Sequence, residues 1–130
     1  MSRTDVNPWE WSKAFGFSQA VDVTEVQRVL LCSGQTAMGA DGSPPATTDM
    51  GDQVRKAFEN LGAVLQTAGL AASDVVRINY YTTDVDELLP VLGPLASEFF
   101  AGNLPSSTLL GVARLALPQL KIEIEATAAR

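Results

Sequence analysis

The chain has 130 residues, 46% apolar and 18% charged, a composition that suits one globular domain spanning 1–130 around a single core. A net charge of −6, with nine Lys and Arg scattered along the sequence, argues against the basic face of a nucleic-acid binder. With no histidine and one cysteine, there is no Ser-His or Cys-His nucleophile pair, no His or Cys metal site and no internal disulfide.

Residues 1–14 form a polar N-terminal segment without the apolar run of a signal peptide, and no stretch is long enough to span a membrane. A soluble, cytoplasmic protein is expected. FGFSQAVDV (15–23) and EVQRVLLCSGQTAM (25–38) read as strands, and MGADGSPPA follows as a loop built on Gly, Asp-Gly and Pro-Pro. Cys32, beside Leu30 and Leu31, reads as a small buried apolar residue. Trp9 and Trp11 alternate in NPWEW and could cap a neighbouring element or a cleft, with a packing role favoured.

DMGDQVRKAFENLGAVLQTAGL (49–70) is the clearest helix. Val54, Ala57, Phe58, Leu61, Val64, Leu65 and Ala68 recur at spacings of three and four and form one apolar face. Thr48 is its candidate N-cap and Gly69 its left-handed stop. In the strand DVVRINYYTTD, Val76, Ile78 and Tyr80 face one way, and Val75, Arg77, Asn79 and Tyr81 the other. DELLPVLGPLASEFFAG (86–102) reads as a second helix in which Pro94 should produce a kink or a later start, with Leu95, Phe99 and Leu92 as anchors.

STLLGVARLAL (107–117) and LKIEIEATA (120–128) read as closing strands around Pro118. The order gives an α+β domain with two helices packed on one face of a sheet. In the last strand Ile122, Ile124 and Ala126 point toward the helices, which leaves Lys121, Glu123 and Glu125 on the far face. That face is neither apolar nor freely polar, so a second subunit is expected to cover it.

Four segments read together: FSQAV (17–21), LLCSGQT (30–36), the AGL…DVV…Y-x-T-D run at 68–84, and P-x-STLLGVARL…IEIEA at the end. From about residue 15 to 128 the chain resembles the Rid family, also called YjgF or reactive intermediate deaminases. The resemblance implies a chorismate-mutase-like α+β fold, a homotrimer with clefts between subunits, and hydrolysis of small-molecule enamines or imines to ketone and ammonia. It implies no metal and no organic cofactor.

By the same resemblance, Glu123 is the catalytic residue that places the attacking water. Phe17, Ser33, Gly34 and Ser107 are substrate-binding. Ser107 stands where the family has a carboxylate-clamping arginine, and Phe17 where it has a tyrosine. The helix LLPVLGPLAS has no counterpart of the family's asparagine.

Each of these residues also has a structural reading. Glu123 and Glu125 could simply coat a sheet face, the Ser33-Gly34-Gln35 turn could be an ordinary strand end, and Ser107 an uninvolved strand-start serine. Arg114 lies seven residues beyond Ser107, roughly 23 Å along an extended strand, too far to replace the lost clamp. Three functions therefore stay open: an imine deaminase less dependent on a carboxylate clamp, a catalytically silent metabolite-binding trimer, and a specialised hydrolase of a ring-derived substrate. A ribonuclease, as some family members have been labelled, gains little support from an acidic, histidine-free chain.

Overall fold

The computed structural model describes residues 1–130. It contains strand β1 (Ser2–Val6), a short helix α1 (Trp11–Ala14), strands β2 (Ala20–Thr24) and β3 (Val29–Leu31), and helix α2 (Met50–Thr67). Strand β4 (Val75–Thr82), helix α3 (Val85–Phe100) and strands β5 (Ser106–Gly111) and β6 (Ile122–Ala129) complete it. Strands β3, β6, β4 and β5 form a four-stranded sheet in that order, while β1 and β2 pair as a separate hairpin. The pairs are antiparallel except β4 with β5, which run parallel because α3 crosses between them.

Both long helices lie on one face of the larger sheet, as the pattern predicts. From α2, Val54, Ala57, Phe58, Leu61 and Leu65 are buried against Ile78, Tyr80, Ile122, Ile124 and Ala126. Val64 and Ala68 lie at the edge of this face and are half-buried. The N-cap is Asp49 rather than Thr48: its carboxylate accepts from the Asp52 amide at 2.9 Å. Gly69 terminates the helix at φ +74°.

Helix α3 runs unbroken through Pro90 and Pro94, so Pro94 does not delay its start. It starts earlier than expected because the Asp84 side chain caps it by accepting from the Glu87 amide at 3.0 Å. Its buried stripe is Leu88, Leu92, Ala96 and Phe100. Leu95 and Phe99 pack at the flank of the core.

Other departures have local causes. Val75 is fully buried rather than facing away, because the β4–β6 register shifts between Val75 and Arg77. Residues 15–19 turn tightly after α1 instead of extending, and 112–117 leave the sheet after β5. The polar N-terminus contains β1, which Arg3 fastens to the body by donating to the carbonyls of Ser73, Val75 and Leu104 at 2.9–3.1 Å. Gln53, completely buried in α2, donates to the carbonyls of Thr47 and Gln119 and accepts from the Lys121 amide at 2.9 Å. That amide precedes β6, so the helix fixes where the acidic strand begins.

No helix is long and apolar enough to cross a membrane.

Candidate functional site

The far face of the sheet carries the acidic row. Tyr81 on β4 lies level with Glu123 on β6, and Asn79 with Glu125. Glu125 is committed inside the chain: it accepts from the Tyr81 hydroxyl and, at 3.0 Å, from the Asn79 amide. The Tyr81 hydrogen bond, then that of Asn79, holds its carboxyl below the usual carboxylate range, and the same carboxylate pushes the Tyr81 hydroxyl up. Lys121 does not join the row. Its ammonium reaches back to α3 and contacts both Glu87 oxygens at 3.0 Å.

Glu123 is set differently, because of a bulge at the end of β3. The ladder runs from Leu31 opposite Thr127 to Gln35 opposite Ile124. Four steps on one strand therefore oppose three on the other (35 − 31 against 127 − 124). Gln35 is held by amide-to-carbonyl bonds to and from Ile124 at 2.6 and 2.9 Å. Farther on, Asn60 of α2 donates to the carbonyls of Thr36 and Met38 at 2.8 and 2.9 Å.

The bulged backbone passes directly under the Glu123 side chain at Gly34. A Cβ there would overlap the Glu123 Oε1 and lie 2.9 Å from its Cγ. Glycine at 34 is thus the condition for this seat of the carboxyl group, a reason independent of any ligand. Ser33, in the same turn, is exposed. Cys32 is half-buried, packs at the edge of the core, and has its thiol pushed up by desolvation.

Phe17 and Ser107 come together elsewhere. They line a pocket of about 250 Å³ with Trp11, Phe15, Tyr80, Leu89, Leu92, Gly93 and Leu109. The turn after α1 builds one wall. Gly93 of α3 faces the Ala14 carbonyl and the Phe15 backbone, which lie 3.4–3.8 Å from where a Cβ would stand, in ordinary contact. Gly16 makes the reverse turn at φ +81°. Trp11 meets Phe15 and Phe17 edge-on at 6.1 and 5.8 Å.

Trp11 is therefore a pocket residue, 56% exposed, rather than a packed one, and Trp9 is 60% exposed. Trp11, Phe15, Leu89, Leu92 and Gly93 were not singled out as site residues from the sequence. The available signal was the spacing of four between Trp11 and Phe15, which puts both rings on one side of a helical turn.

The two groups occupy opposite faces of the sheet. Ser107 lies level with the core residue Ile78, on the helix side, and Glu123 level with Tyr81 on the other side. Within one chain they cannot act on one small molecule. The far face also exposes Val29, Leu31 and Leu110, at 57%, 78% and 50%.

A four-stranded sheet backed by two helices, with an acidic strand beside a glycine bulge, defines an α+β protein whose site elements sit at the sheet's open face and edge. Residues 11–130 match the model of the family described as endoribonuclease L-PSP, so the chain belongs to this YjgF/Rid family. It is similar to a 2-iminobutanoate/2-iminopropanoate deaminase of Dermatophagoides farinae, 31% identical over 84% of this chain and 81% of that one. Its fold matches the crystal structure of YyfB, a Rid-family protein of unknown function from Yersinia pestis. That match has a TM-score of 0.89 and 36% identity over the full length of both chains. The E. coli TdcF structure with bound serine matches at a TM-score of 0.70 and 30% identity, covering 88% of this chain and 87% of that one.

Proposed function

We propose that the protein hydrolyses small enamines or imines to ketone and ammonia at a site completed between copies of the chain in a homotrimer. The Glu123–Gly34 side comes from one copy and the Phe17–Ser107 side from its neighbour. The observation carrying this reading is the placement of those groups on opposite faces, with the Glu123 carboxyl seated over a glycine bulge. The exposed Val29, Leu31 and Leu110 supply apolar area for the assembly around the hydrogen bonds of Tyr81 and Asn79 to Glu125.

The chemistry asks little of the protein. Water adds its oxygen to the imine carbon, and the C=N π electrons move to nitrogen, which takes up a proton. The resulting carbinolamine expels ammonia as the C=O bond forms. Glu123 holds the water and moves its proton toward nitrogen, while the amide of Gly34 faces the oxygen or a substrate acceptor. No residue in this scheme needs to be a histidine.

A second reading, a silent metabolite-binding trimer, is favoured by one observation: the pocket that contains Ser107 holds no cation. Arginine at 107 would add a bidentate, charge-assisted pair worth about 1.5–3 kcal/mol toward a carboxylate, roughly ten- to hundredfold in affinity. Turnover of imines generated in situ, followed by ketone release, separates the two. Under the hydrolase reading, Glu123→Gln loses at least about a hundredfold of kcat, and Ser107→Arg gains about tenfold in kcat/KM on carboxylate-bearing imines. Absence of turnover in wild type and both variants would leave the binding protein standing.

A further inference from the structure

The pocket containing Ser107 has a composition of its own. Seven of its nine lining residues are hydrophobic, and none is charged. A carboxylate placed there would lose its water without gaining a counter-ion, which costs more than such a small pocket returns. Its volume of about 250 Å³ exceeds the roughly 150 Å³ that admits a benzene ring and falls below that of drug-sized sites.

The inner wall supplies a second observation. Tyr80 is 3% exposed, lines the pocket, and its hydroxyl is enclosed with no hydrogen-bond partner. Burial pushes that hydroxyl far above its usual range, so it stays protonated and is a donor without an acceptor. Ser107 brings the pocket's other hydroxyl. Trp11, Phe15 and Leu89, all more than half exposed, surround this interior with apolar surface.

We infer that the pocket receives the uncharged part of its ligand: one aromatic ring or branched aliphatic group, with a single neutral acceptor directed at the Tyr80 and Ser107 hydroxyls. Carboxylate-bearing compounds of the same size are turned away. The inference rests on the reading above in taking this pocket as the substrate end of the composite site, but binding alone tests it. The substrate class that follows is an imine or enamine of an apolar aldehyde or ketone rather than of a keto acid.

Three probes share a ring and differ in their polar group: acetophenone with a neutral carbonyl, ethylbenzene with none, and benzoylformate with a carboxylate. Binding is read from the indole N–H resonance of Trp11 in ¹H–¹⁵N spectra, assigned with the Trp9→Phe variant. Acetophenone should shift it saturably and benzoylformate bind at least about tenfold more weakly. Ethylbenzene should be roughly three- to tenfold weaker than acetophenone, a difference that shrinks in Tyr80→Phe, where the Ser107 hydroxyl alone remains. Ser107→Arg, at a half-buried rim position, should reverse the order of acetophenone and benzoylformate.

Benzoylformate binding as tightly as acetophenone to the wild type would overturn the inference. So would a Trp11 resonance unmoved by all three probes, or an acetophenone advantage unchanged by Tyr80→Phe. Imine turnover failing while this binding pattern holds would count only against the hydrolase reading.

Discussion

The two faces of the four-stranded sheet are built from the same strands under different rules. Toward the helices, β4 and β6 present Ile78, Tyr80, Ile122, Ile124 and Ala126, each at most 4% exposed, and the polar groups among them are the unpartnered Tyr80 hydroxyl and that of buried Thr82, which donates to the Lys121 carbonyl. On the other face the same strands carry Arg77, Asn79, Tyr81, Glu123 and Glu125, all half-buried; Asn79 and Tyr81 donate to Glu125, and Arg77 donates to Thr108 of β5. One face holds the chain folded by packing. The other holds polar side chains in place across the strands, and a defect in the pairing, the bulge at Gly34, occurs there.

Substitutions on the two faces should therefore fail in different ways. The largest effect on folding is expected from Leu61→Ala, fully buried in α2. Its cavity should cost about 2–5 kcal/mol in urea unfolding, and a loss below about 1 kcal/mol would mean that the helix face is not the core's centre.

Gly34→Ala should do the reverse. The backbone there is not in the left-handed region, so folding changes little, but the new methyl occupies the seat of the Glu123 carboxyl. A loss of about tenfold or more in kcat with an unchanged urea midpoint is expected. Equal activity would detach Glu123 from the chemistry.

The smallest effect concerns Glu125. Its folded-state acidity lies below the ordinary carboxylate range through Tyr81 and Asn79. The stabilisation is thus complete above the unfolded value of about 4.3 and is lost as pH falls through the folded one. Wild type should exceed Glu125→Gln in stability at pH 7 and lose that lead on acidification. A lead that stays constant with pH would remove the ionised network.

What the sequence made readable follows from how local each cause is. The α2 face and the alternation of β6 are written in spacings of three, four and two, and the structure keeps Val54 to Leu65 and Ile122 to Ala126 inside. The structure sets the Glu123 side chain over Gly34, and the bulge supplies the physical reason.

Elements whose causes are distant were not readable. Strand β1 exists because β2 pairs with it and Arg3 reaches three carbonyls around residues 73–104. Val75 turns inward because of a register shift that no run of residues announces. Pro90 and Pro94 are accommodated within a helix whose other face is anchored every four residues by Leu88, Leu92, Ala96 and Phe100. The aromatic pocket needed the turn at Gly16 and the contact at Gly93, which only the folded chain brings together.

The central claim is that a working site takes Glu123 from one chain and the Ser107 pocket from another, and mixed oligomers test it directly. Glu123→Gln and a pocket-blocking Ser107→Trp should each be inactive alone. After unfolding and refolding together in equal amounts, random assortment of two kinds of chain should restore on the order of a quarter of the wild-type turnover. Recovery of that size is the predicted result. A mixture as inactive as its parents, with mixed oligomers demonstrated by mass spectrometry, would contradict the account.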